Sequence, residues 1–177
     1  MNRSTFFFSF LLIALMNLSL FAQKPIQDPK TDFSALALNE TLVSWQGANT
    51  TVGKVLEKHQ GKVILIDFWA SWCADCLTAL PGTRALLSKY PDLSVVYFSL
   101  DRSYEQWRRG IEKHEIGSYE HYWFQQGWKN NFNNYIELNW VPRFMVVDQK
   151  GKIALYYAIS PEDPKLIEVL DRIVGAD

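Results

Sequence analysis

Residues 63–76 read Val-Ile-Leu-Ile-Asp-Phe-Trp-Ala-Ser-Trp-Cys-Ala-Asp-Cys. A nearly continuous apolar run of this length suits a central strand covered on both faces. Residues 73–89 follow as a helix, with Leu77, Leu80, Leu86 and Leu87 available for packing and Pro81 in the interior, where it removes a backbone donor. A buried strand thus hands over to a helix, and Cys73 and Cys76 lie one helical turn apart at the junction. They are the only two cysteines in 177 residues. Two thiols at that spacing can close a reversible disulfide, and a helix start favours a thiolate on the first of them.

Three other uses of the pair have to be weighed. A purely structural bridge closing so short a loop restricts the unfolded chain little, because that stabilisation grows with loop length. Two ordinary core cysteines are a second option, since free Cys is often buried. Zinc is a third, but four ligands are expected and His59, His114 and His121 do not stand at motif spacing. Redox use is the better reading.

The N-terminus has the form of an export signal over residues 1–22. Arg3 supplies the positive start, residues 6–15 are apolar except for Ser9, and Leu20-Phe21-Ala22 offers a cleavage site before Gln23. No cysteine follows the run, which argues against a lipoprotein anchor. Residues 23–32, with two prolines and little apolar content, read as a flexible leader, and residues 33–177 as one domain. A formal net charge of −1 without a Lys/Arg run gives no indication of nucleic acid as a partner.

Within that domain, residues 33–45 are expected to form short strands or a hairpin, and residues 51–58 a short helix closed by Gly61. A strand is expected at 93–100, a helix at 103–114, a strand near 122–124 and a short helix around 129–136. Residues 144–147 and 152–157 pair through Asp148-Gln149-Lys150-Gly151 as a hairpin. A last helix is expected to open at Ser160-Pro161, with Ser160 as its cap. Strands alternating with helices and ending in a hairpin plus helix imply an α/β sandwich around a mixed sheet.

Asp67 stands out because an apolar strand would ordinarily carry Val or Ile there. With period two it shares a face with Leu65, so its carboxyl faces the interior and is expected to have a raised pKa. We expect it to accept the Cys76 proton; a carboxylate paired near a strand end is the alternative. Trp69 is expected to be core and Trp72 exposed beside Cys73. The aromatic stretch from Tyr119 to Trp140 either lines a peptide groove or fills the core.

Four markers, in order, resemble the thioredoxin-like superfamily, and in particular its exported TlpA/ResA-like branch. They are Trp72-Cys73-x-x-Cys76, Asp67 six residues before Cys73, Pro81 five after Cys76, and the later Val141-Pro142. The resemblance covers most of the chain from Phe33. It implies a three-layer sandwich with a central mixed sheet and an N-terminal strand extension. It also implies a thiol–disulfide oxidoreductase with Cys73 as nucleophile and Cys76 as resolving thiol, with no cofactor beyond the redox-active disulfide and no metal. Val141-Pro142 resembles the family's cis-proline segment, which with Trp72 would receive an extended substrate.

Two residues depart from the family pattern. Asp75 stands where Pro is common, and Arg143 where Thr is frequent after the later proline. The Asp75 carboxylate should disfavour the Cys73 thiolate and make the dithiol a stronger reductant; an Arg143 guanidinium nearby would do the reverse. The expectation is a monomeric periplasmic reductase of exported protein disulfides, recharged by a membrane dithiol donor and possessing a signal that is either cleaved or kept as an inner-membrane tether. An apocytochrome before haem attachment is one substrate the resemblance implies. The rivals are a disulfide-forming oxidase, against which the absence of His within the motif argues, and a non-catalytic binding module.

Overall fold

The computed structural model describes residues 29–175. The signal expected at 1–22 and residues 23–28 of the leader lie outside the described residues. The remaining leader residues lie along the domain: Thr31 accepts a hydrogen bond from the Ile153 amide at 2.9 Å, Tyr135 donates to the Asp32 carbonyl at 2.7 Å, and Asp32 pairs with Lys152.

Ser34 caps α1 (Ala35–Leu38) by accepting from the Ala37 amide. This single turn stands where only strands were expected. The hairpin that follows is β1 (Thr41–Ser44) and β2 (Asn49–Thr51). Thr51 then caps α2 (Val52–Lys58), and β3 (Ile64–Trp69) is buried at every position. Next come α3 (Ala74–Lys89), β4 (Ser94–Ser99), α4 (Tyr104–Lys113) and β5 (Glu120–Trp123). The chain closes with α5 (Asn131–Tyr135), β6 (Arg143–Val147), β7 (Ile153–Ala158) and α6 (Pro164–Ile173).

One expected boundary is corrected. α6 is capped by Asp163, which accepts from the Lys165 amide at 2.8 Å, with Pro164 in its first turn. Proline disfavours the helical region for the residue before it, and Asp163 accordingly sits at ψ 124°. A helix opening at Pro161 would have to run through that position. Ser160 instead closes a local turn, accepting from the Glu162 amide at 3.1 Å.

The strands form one mixed sheet in the order β2-β1-β5-β4-β3-β6-β7. β3 runs parallel to β4 and antiparallel to β6, and the N-terminal hairpin joins at β5. Register decides what each face carries. Asp67 lies beside Tyr97 on β4 and Phe144 on β6, and Tyr97 beside His121 on β5, so these four share one face. Trp123 on that face stacks on Trp107 of α4, and Tyr90 at the end of α3 donates to Asp171 of α6 at 2.6 Å. The other face carries Phe68, Phe98 and Arg143, with Phe132 of α5 stacked on Phe68. Layers of α3, α4 and α6 on one side and α1, α2 and α5 on the other make the expected three-layer sandwich. Each fully buried Leu, Ile or Phe side chain contributes about 1.5–3 kcal/mol to it.

Candidate active site

β3 ends at Trp69, and the chain turns before α3 begins. In that turn the Cys73 amide donates to the Ala70 carbonyl at 3.0 Å. Cys73 is the N-cap of α3: its Sγ accepts from the Cys76 amide at 3.1 Å. Cys73 and Cys76 are joined in a disulfide with a Cα–Cα distance of 5.3 Å. Sulfur therefore occupies the place of an ordinary capping oxygen, where the unpaired amides and the positive end of the helix dipole stabilise an anion. On reduction, the Cys73 thiolate gains from both.

Cys73 is 6% exposed and Cys76 3%, so access to the pair is narrow. Cys73 opens onto a groove whose walls are Trp72, Asp75, Trp128, Trp140 and Val141. The Val141-Pro142 bond is cis, and the Val141 carbonyl lies 3.6 Å from the Cys73 sulfur. Trp72 is 44% exposed beside it. Six of the sequence-derived site residues, Trp72, Cys73, Asp75, Cys76, Val141 and Pro142, thus converge at one end of the sheet.

Asp67 lies beneath this end, facing α3. Burial pushes its carboxyl up to about 8, with a hydrogen bond to Thr83 pulling weakly the other way. Cys76, Leu80 and Thr83 form the buried side of α3, so the carboxyl and the resolving sulfur are under the same helix face. The Cα atoms of Cys76 and Thr83 are two turns apart on that face, ~10 Å of helix rise. The Tyr97 ring stacks on His121 at 4.8 Å beside Asp67, and burial raises the one and lowers the other to about 4. Both are neutral near pH 7.

Arg143 is not at the redox pair. Its register partner is Phe68, so its side chain leaves the sheet on the face away from α3. There the guanidinium donates to the Tyr156 carbonyl at 2.7 Å and the Ile136 carbonyl at 3.4 Å, and lies over the rings of Tyr156 and Tyr157. The side chain joins β6, β7 and the end of α5. Arg143→Met is expected to cost about 2–4 kcal/mol of stability by leaving two carbonyls without their donors, and to leave the reduction potential within a few mV. Denaturant melts and a thiol-redox titration would check both halves.

One feature of the site escaped the sequence reading, and a second was left undivided between groove and core. Asp101, 1% exposed, fixes the loop that carries Cys73: it accepts from the Ser71 amide at 3.1 Å, from Ser71 Oγ at 2.6 Å and from Ser99 Oγ at 2.8 Å. The pattern Ser99-Leu100-Asp101 at a strand end was its only sequence signal. Gly110 of α4 lets the helix meet this loop, since a Cβ there would stand 2.3 Å from the Ser71 Cβ. Trp140, 52% exposed, was hidden in an aromatic stretch whose other members divide: Phe124 and Phe132 are core, while Trp128 and Trp140 reach the groove. Asn130 and Asn133 are buried, and Asn130 caps α5. Among the described residues, no three His, Cys, Asp or Glu side chains converge to hold a metal ion.

Comparison with known proteins points one way. A family model described as Thioredoxin-like matches residues 61–153. The thioredoxin-like protein YneN of Bacillus subtilis is 29% identical over 65 residues, 34% of this chain and 38% of that protein. The chain spans only 36% to 41% of the length of the curated relatives it matches. Among solved structures, a candidate thiol–disulfide oxidoreductase from Bacteroides vulgatus has a TM-score of 0.61 at 28% identity, over 76% of this chain and 87% of that one. A candidate thiol:disulfide interchange protein DsbE from Chlorobium tepidum reaches 0.62 at 21% identity, over 80% and 97%, a likeness of fold alone.

Proposed function

This chain belongs to the thioredoxin-like family, its Cys73–Cys76 pair fits the redox motif of thiol–disulfide oxidoreductases, and we propose that it reduces disulfides of exported proteins. The observation carrying this reading is the sulfur that caps α3 beside the Val141 carbonyl, at the wall of an open groove. In the cycle, the Cys73 thiolate attacks a substrate disulfide and one substrate thiolate leaves. The Cys76 sulfur, giving up its proton toward Asp67, then attacks Cys73 and expels the second substrate thiolate. Two electrons pass to the substrate and the protein is left oxidised.

The reducing direction is supported by Asp75, which is exposed in the first turn of α3 with the expected opposing guanidinium on the far face of the sheet. Export rests on the signal form of residues 1–22, and periplasmic placement follows from it as part of the proposal. In an oxidising compartment the dithiol needs a donor, for which a membrane dithiol protein is the fitting class. Monomeric action on exported proteins, apocytochromes among them, completes the reading.

The test is equilibration with glutathione. A potential well below that of glutathione identifies a reductase, and one well above it an oxidase. Asp75→Asn is expected to raise the potential by about 10–30 mV through a more stable Cys73 thiolate. A fall in potential would remove Asp75 from the argument.

A further inference from the structure

Two grooves lie at the redox end of the sheet, and the first of them is lined by Cys73. The first, walled by Trp72, Trp128, Trp140 and Val141, is mainly aromatic. The second runs past Pro142 between Ile159, Pro161 and Glu162. Asp75 and Trp140 border both, so a chain crossing Cys73 passes from one groove to the other over them.

The exposed surface here is unusual in two respects. Among the described residues, four large apolar side chains are strongly exposed, and Trp72, Trp140 and Ile159 are three of them. Apolar clusters of this kind mark interaction sites. The charge is also one-sided: the grooves are lined by the carboxylates of Asp75 and Glu162, both exposed, and by no lysine or arginine. An anionic residue of a substrate would be repelled at Asp75, where the grooves join, and by Glu162 along the second groove.

We propose that the substrate of Cys73 is an extended segment carrying an apolar or aromatic side chain on one side of its disulfide-bonded cysteine and a lysine or arginine on the other. The inference rests on the oxidoreductase reading. The apolar side chain lies among Trp72, Trp128 and Trp140, and the cation between Asp75 and Glu162. The chemistry is the exchange already described: the Cys73–substrate S–S bond forms as the substrate's own S–S bond breaks, and the Cys73–Cys76 bond then forms as the mixed disulfide breaks. The proton from Cys76 ends on a released substrate thiolate, and a dithiol donor restores the reduced protein.

Disulfide-linked dimers of capped Ala-Phe-Cys-Lys-Ala and Ala-Lys-Cys-Phe-Ala, with versions carrying Glu for Lys and Ser for Phe, test this. Single-turnover oxidation of the reduced protein is followed by tryptophan fluorescence, and each rate is divided by that of free dithiothreitol with the same peptide. This division removes the effect of the peptide's own charge on its leaving thiolate. The expected result is a preference of about three- to tenfold for Lys over Glu in at least one order of residues, shrinking in high salt. Glu162→Gln together with Asp75→Asn should reduce it to near unity; because a ratio is read, any change in Cys73 reactivity cancels. Trp140→Ala should lower the Phe-over-Ser preference. Equal normalised rates for Lys and Glu peptides would overturn the inference while leaving the oxidoreductase intact. Failure to react with any of the peptides or with insulin would overturn the oxidoreductase reading itself.

Discussion

Cys76→Ser is expected to stop turnover by roughly three orders of magnitude or more while leaving the first attack nearly unimpaired, so that protein accumulates as a mixed disulfide on Cys73. The asymmetry follows from position. Cys73 caps α3 and lines the groove, whereas Cys76 lies a turn deeper against the sheet. Only the first can meet a substrate, and only the second can release it. Cys73→Ser should therefore lose turnover equally but trap nothing. Intact-mass spectrometry after incubation with an oxidised protein substrate, with and without dithiothreitol, reads both outcomes. Adducts on the Cys73→Ser variant would mean that the roles of the two sulfurs are reversed.

Asp67→Asn carries the second large effect, and it has opposite signs for activity and stability. Turnover should fall about 10- to 100-fold, because the resolving thiol loses its proton acceptor. The loss should be greatest above pH 8, where the native carboxyl, held near 8 by burial, is ionised and able to accept. Stability should rise. The folded pKa lies above the unfolded value of about 3.9, so the carboxyl costs nothing below that value. From there to about 8 the unfolded chain sheds a proton that the folded chain keeps, and native stability falls. Asparagine removes this penalty, and a gain of up to about 5 kcal/mol is expected at pH 8, against little at pH 3.5. Paired melts at the two pH values measure it. Equal gains at both would show that packing, and not ionisation, sets the effect.

Local pattern explains what was readable from the chain. The strand-to-helix junction was legible because residues 63–68 are apolar apart from Asp67 and the cysteines follow at one turn's spacing. Asp67 was legible because a carboxylate in such a run has no folding rationale. The rest depended on contacts between distant segments. The direction of Arg143 follows from its pairing with Phe68, 75 positions earlier, which places it over Tyr156 and Tyr157. Trp123 and Trp140 are the same residue type in one aromatic stretch, yet β5 carries the first into the core while the second reaches the groove. The α6 start was ambiguous because two Pro-containing turns precede one helix, and the second of them prevailed. Asp101 had too short a signature to be noticed before its partners, Ser71 and Ser99, were brought to it.

The Asp101 carboxylate ties the end of β4 to the loop leaving β3, and Gly110 admits α4 against the same loop. The sulfur is thus mounted on a bracket assembled from three separate stretches of chain. A nascent polypeptide possesses the thiols but not the bracket, so its cysteines have the reactivity of any free thiol until the sheet is complete. The stabilisation that the α3 cap offers the Cys73 thiolate is therefore a property of the folded chain and not of the Cys-x-x-Cys motif alone.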